Sequence, residues 1–300
     1  MTHSRLIGLL AGVLASGGAA AQIEIPEQAS VEQVAPGLHV IRAVGGNIAL
    51  SAGPDGVLIV DDDMPPVAGK IAAAIATVTP EPVSLVFNTH WHFDHAGGNR
   101  YFGERGALIV AQDNVRKRLS EKQFSKLSGT TTPPAPAAAL PVITFDQQLT
   151  FHLNGLTIRA EHVAQPAHTD GDAIIFFEEI NVVHMGDTFF NGNYPFVDLS
   201  SGGHINGVIE AAATALALGN ADTKIIPGHG ALASKADLKA YHDMLVTIRD
   251  RVESLMATGK SREEVQAARP TSDFDATVDP NGFISPERLV DFIFDSLSDD

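Results

Sequence analysis

Apolar and polar positions change period repeatedly along the chain, and the changes mark out its elements. Residues 38–43, 48–51 and 56–60 are short apolar runs separated by Gly45-Gly46-Asn47 and Pro54-Asp55-Gly56. Such runs between turn-forming residues predict strands joined by tight turns. Residues 65–77 follow a helical period, with Pro65 and Pro66 at the start, where a missing N–H costs nothing. Residues 84–88 and 107–111 predict buried strands, and 113–127 a helix capped by Asp113. The Pro, Ala and Thr of residues 130–141 predict a flexible or extended surface loop. Beyond it, residues 148–152, 156–160, 173–178 and 181–184 predict strands, 206–218 a helix and 224–226 a further strand. A long amphipathic helix is predicted over 237–256, with Leu238, Tyr241, Leu245, Ile248, Val252 and Leu255 on one stripe. A last helix starts at Pro286, capped by Ser285, with Leu289, Phe292, Ile293 and Leu297 facing inward.

Strand pairs mixed with helices in two similar halves predict an α/β fold of two sheets sandwiched between helices. No short-period repeat and no linker divides the 300 residues. Residues 22–300 are therefore read as one domain. The start is different. A lone Arg5, an apolar run over 6–14 and the small residues Ala19-Ala20-Ala21 predict a signal peptide over 1–21, with a periplasmic or secreted mature chain.

Charge and cysteine content narrow the chemistry. Twenty Lys and Arg stand against 36 Asp and Glu, a net charge of −16, which disfavours nucleic acid and anionic membranes as partners. The chain has no cysteine, so it has no thiolate nucleophile, and any metal must be held by His and carboxylates.

Against that background residues 88–99, Asn-Thr-His90-Trp-His92-Phe-Asp94-His95-Ala-Gly-Gly-Asn, stand out: three of the chain's 12 histidines fall within six positions. They follow a predicted strand directly. In extended chain, residues two apart point the same way, so His90 and His92 project together, while Trp91 and Phe93 turn towards apolar packing. Asp94 and His95 then fall where the chain bends towards a helix, and Gly97 and Gly98 permit the turn. Imidazole and carboxylate ligands of this kind suit a borderline divalent ion. His168, Asp187 and His229 each sit in a polar or Gly-rich loop bordering a predicted strand, where ligands of α/β folds gather. Asp170 and Asp172 are expected to brace the His168 loop. Asn191, Asn193, Tyr194 and His204, soon after Asp187, are candidate substrate contacts.

His90-x-His92-x-Asp94-His95 with His168, Asp187 and His229 resembles the metallo-β-lactamase superfamily, over roughly residues 36–256, leaving 260–300 as a C-terminal helical extension. The resemblance implies a four-layer αββα sandwich with metal ions where its halves meet. It implies His90, His92 and His168 on one ion, Asp94, His95 and His229 on a second, and Asp187 bridging both. Asp61 matches the family's buried aspartate that supports the ligand loop. The best-known β-lactamase subclass has a cysteine in place of Asp187 and a substrate-binding lysine three residues later; here those positions hold Asp187 and Phe190. The aspartate pattern looks more like glyoxalase II and the lactonases.

What the resemblance implies is a hydrolase carrying two zinc ions, with iron or manganese behind zinc. Hydroxide held between the ions would attack the carbonyl of a small-molecule β-lactam, lactone, ester or thioester, with Asp94 orienting the water and accepting its proton. The alternatives are a mononuclear iron oxygenase of sulfur compounds with the same fold, and a periplasmic metal-binding protein without catalysis. A nuclease would need a basic groove, which an acidic chain does not favour.

Overall fold

A computed structural model describes residues 25–298 of the chain; the expected signal peptide lies outside them. Two sheets form the frame. The first has seven strands in the order Ser30–Ala35, Leu38–Arg42, Ile48–Gly53, Gly56–Val60, Val83–Asn88, Leu108–Gln112, Ile143–Phe145. Its first four strands pair antiparallel and the rest parallel. The second has six strands: Gln148–Leu153, Leu156–His162, Ala173–Phe177, Val182–His184, Lys224–Ile226 and Ala233–Ser234.

Alternation in the central strands explains why both sheets are covered on both faces. Leu58 and Val60 enter the core between the sheets, whereas Val57 and Ile59 pack outward with the helix Ala68–Ile75. In the second sheet Ile175 and Phe177 face the shared core. Ile174 and Phe176 face the helices Ile205–Ala217, Lys235–Ala257 and Pro286–Ser298. Strands buried on both faces read as continuous apolar runs, which is how they stand in the sequence. The result is the αββα sandwich expected. Among the described residues no helix is long and apolar enough to cross a membrane.

Several expectations need correction. The helix expected over 113–127 stops at Ser120, and its cap is Gln112, whose side chain accepts from Asn114 N at 2.6 Å. Only Val115 of that helix is buried, Phe124 is exposed, and Leu127 packs against the helices of the other half, so no apolar stripe carries the helix further. Gln123–Phe124 instead pairs with Thr131–Thr132. The loop over 130–141 is also more ordered than its composition suggests, with a 3-10 turn at Ala137–Ala139 and the Ala139 carbonyl accepting from Asn99. The helix expected over 65–77 divides into a 3-10 turn, Pro65–Val67, and the helix Ala68–Ile75. The sequence pattern marked out neither the edge strands Ser30–Ala35, Ile143–Phe145 and Ala233–Ser234 nor the short helices Asn99–Gly103 and Arg262–Ala267.

Candidate metal centre

The site forms where the strand Val83–Asn88 ends. The neighbouring strand Gly56–Val60 runs into Asp61, Asp62 and Asp63, all fully buried and each fastening a different part of the site. Asp61 accepts from Thr89 N and Thr89 Oγ1, each at 2.8 Å, and from His95 Nδ1 at 2.8 Å. Asp62 accepts from Gly98 N at 2.7 Å, which ties down the end of the ligand loop. Asp63 accepts from Val44 N at 3.0 Å and Gly45 N at 2.8 Å. Burial pushes the Asp62 and Asp63 carboxyls above the usual range. Of these three only Asp61 was picked out by sequence.

The turn Gly45-Gly46-Asn47 does more than join two strands. A Cβ on Gly46 would lie 2.1 Å from His95 Cε1, so only glycine lets the backbone pass this ring. Asn47 donates to Pro227 O at 2.8 Å and Gly230 O at 3.0 Å, fixing the loop that carries His229 from across the molecule.

Hydrogen bonds at the outer ring nitrogens determine which nitrogens face inward. His168 Nδ1 donates to Phe196 O at 2.8 Å, leaving Nε2 as a lone pair. His92 Nε2 donates to Asp198 Oδ2 at 3.0 Å, leaving Nδ1 as a lone pair. Those two bare nitrogens face each other at 2.7 Å, a contact only a proton or a cation can reconcile. His90 Nδ1 lies 3.0 Å from Thr89 Oγ1, while its buried Nε2 has no hydrogen-bond partner. Asp187 sits in the turn Gly186–Thr188, and a Cβ on Gly228 would come within 2.0 Å of its Oδ1. His95 Nε2 lies 3.0 Å from that oxygen and 3.2 Å from His229 Nε2.

These residues pass the test for a metal. His90, His92, His168 and Asp187 form one group and Asp94, His95, Asp187 and His229 another, the ligand atoms of each lying within 4.8 Å of one another. The orphaned, buried His90 Nε2 converging with the orphaned Asp187 Oδ1, in a set of N and O donors, fits zinc, iron or manganese. Electrostatics agree. Burial would raise the Asp187 carboxyl, but His95, His229 and His168 hold it well below the usual carboxylate range. Burial likewise opposes, but His95 and His229 bring Asp94 down to about 2. Burial pushes His90 well below its ordinary value and His168 down to about 4, which keeps both imidazoles neutral. His229 goes the other way, to about 10: burial opposes the rise, and Asp187 and Asp94 drive it. Without metal, a proton on His229 compensates the two carboxylates as a cation would.

Every residue expected as a ligand is thus brought to one place; the expected substrate contacts divide. Tyr194 is buried, and its hydroxyl donates to Asp275 Oδ1 at 2.9 Å. His204 caps the helix Ile205–Ala217 and its Nε2 lies 3.0 Å from Ser296 O. Both serve packing instead. Asn191 donates to Ala231 O at 2.9 Å and supports the His229 loop, and Asn193 lies against Gly282. Trp91 is half-buried beside His92, its indole N–H donating to Ser201 Oγ at 3.1 Å. Phe93, expected to turn inward, is 59% exposed. Asp170 pairs with Arg118 at 2.7 Å, and Asp172 accepts from Thr169 N at 2.7 Å, so both brace the His168 loop. Asp198 had escaped notice, since nothing in its spacing links it to His92, 106 positions away.

Comparison with known proteins agrees with this geometry. A family model described as the metallo-beta-lactamase superfamily matches residues 41–229. A hydroxyacylglutathione hydrolase of Polaromonas sp. is 26% identical over 202 residues, 64% of this chain and 69% of that protein. An atrochrysone carboxyl ACP thioesterase of Emericella nidulans is 28% identical over 170 residues, 54% of this chain and only 48% of that protein. Among solved structures, the DIM-1 metallo-beta-lactamase superposes with a TM-score of 0.60 at 19% identity, covering 75% of this chain and 99% of that one. The sec-alkylsulfatase Pisa1 from Pseudomonas sp. superposes with a TM-score of 0.67 at 15% identity, covering 89% of this chain and 50% of that one.

Proposed function

The chain belongs to the metallo-beta-lactamase superfamily, and we propose that it is a two-metal hydrolase, with zinc the preferred ion, that cleaves an ester or thioester of a small molecule. The observation that carries this is the pair of four-residue ligand groups sharing Asp187. His90, His92 and His168 would hold one ion, Asp94, His95 and His229 the other, and Asp187 both. Metal held there supplies Lewis-acid chemistry, polarising a carbonyl and acidifying water.

The chain's own residues supply the rest. Asp94, 21% exposed on its side chain and the more accessible of the two carboxylates, would orient a water and take its proton. Asp198 and Asp61 accept from His92 Nε2 and His95 Nδ1, which turns the other nitrogen of each ring towards the metal position. Phe190 stacks on His229 at 5.3 Å and Phe196 on His92 at 5.8 Å, lowering the polarity around the reacting groups. Two relatives that carry the names of thioester hydrolases support a thioester ahead of a β-lactam. So does Phe190, an apolar ring unable to pair with a substrate carboxylate.

The alternatives explain less. A single-iron oxygenase leaves one of the two ligand groups without a role. A purely structural metal site would be closed, whereas Asp94 and His229 side chains are 21% and 28% exposed. The test is hydrolysis of a hydroxyacylglutathione thioester and of nitrocefin before and after chelation, with zinc restored. Thioester hydrolysis should vanish with chelator and return with zinc. Turnover that survives chelation, or zinc-loaded protein inert towards both thioesters and esters, overturns the reading.

A further inference from the structure

The extension beyond the family match reaches the edge of the metal centre. Phe283 is 71% exposed, the most exposed large apolar side chain among the described residues. It is not on a loose tail. Asp279 N donates to Gly192 O at 2.9 Å, Tyr194 donates to Asp275, and a Cβ on Gly282 would meet Asn193 Oδ1 at 2.6 Å. These contacts dock the turn before Phe283 against the loop that follows Asp187. From there Phe283 meets Phe196 edge to face, ring centroids 6.1 Å apart at 86°. Phe196 in turn stacks on His92 and lies 5.4 Å from His168, whose Nδ1 it anchors through its carbonyl.

One apolar wall therefore runs from solvent to the His92 and His168 rings, and its outer panel comes from the C-terminal extension. Asp94 and Asp187 pair with histidines that the metal would engage, and aromatic rings, Phe196 on His92 and Phe190 on His229, stack on the outer ligands. We propose that Phe283 is a specificity-determining residue, forming with Phe196 the wall that takes an apolar acyl chain of the substrate. The assignment rests on the hydrolase reading only in naming that chain acyl.

Binding tests it without turnover. Octanoate and acetate share a head group and differ in the chain, so titrating each into the zinc-loaded full chain isolates the wall. Wild type should bind octanoate more tightly than acetate. Phe283→Ala should weaken octanoate about five-fold or more and acetate by less than about two-fold, with Phe283→Leu in between. Trp91, the chain's single tryptophan, lies beside His92 and gives a second readout through its fluorescence. Because Phe283 is exposed, an unchanged melting temperature is expected for both variants. Octanoate binding no tighter than acetate binding, or unaltered by Phe283→Ala, overturns the proposal. A chain that hydrolysed neither ester nor thioester would overturn the hydrolase reading and leave this wall to be judged by binding alone.

Discussion

Gly46 has no side chain, and the site depends on that absence. A Cβ there would lie 2.1 Å from His95 Cε1 and 2.6 Å from both ring nitrogens. The ring cannot retreat freely, because Asp61 holds its Nδ1 at 2.8 Å. Gly46→Ala is therefore expected to lower thioester turnover more than about ten-fold, with a stability loss of about 1–3 kcal/mol. Turnover and a chemical melt of the same preparation check it; wild-type turnover would remove Gly46 from the account. His168 supports a pH prediction for the metal-free protein. Burial brings its folded value down from 6.5 to about 4, so between those limits the folded chain binds fewer protons than the unfolded one. Its contribution is present above about pH 6.5 and lost as pH falls towards 4. Urea melts of chelated protein should show wild type losing stability relative to His168→Asn across that window, and parallel curves would contradict it. The ligands were legible because His90, His92, Asp94 and His95 are neighbours in sequence. Asp198 and the contact of Asn47 with Pro227, 180 positions apart, arise only when the chain closes on itself, so no local pattern announces them.

Among the elements, the central strands were the easiest to read and the helix ends the hardest. Strands such as Gly56–Val60 are buried on both faces, so burial writes itself into the sequence as an apolar run. Helix ends depend on single hydrogen bonds. The long helix begins at Lys235, two positions before the apolar stripe suggested, because Ser234 and Asp237 form a reciprocal capping box. Ser234→Ala should cost about 1 kcal/mol, read as a lower melting temperature with metal content unchanged. A loss of metal would mean that this helix start couples to the His229 loop. The helix expected to reach residue 127 stops early because no apolar stripe continues from Val115: Phe124 is exposed, and Leu127 packs instead against the helices of the other half.

At the scale of the whole molecule, each half contributes part of each ligand group. The first sheet supplies His90, His92, Asp94 and His95, and the second supplies His168, Asp187 and His229. Asp187 belongs to both groups, so the account requires two ions whose occupancy is linked through one carboxylate. The most direct measurement is the metal content of zinc-saturated, gel-filtered protein by mass spectrometry, wild type against Asp187→Ala. About two ions per chain in wild type, falling below one in Asp187→Ala at an unchanged fold by circular dichroism, is the result expected. One ion or none in wild type, or two retained after Asp187→Ala, would contradict a shared two-metal centre.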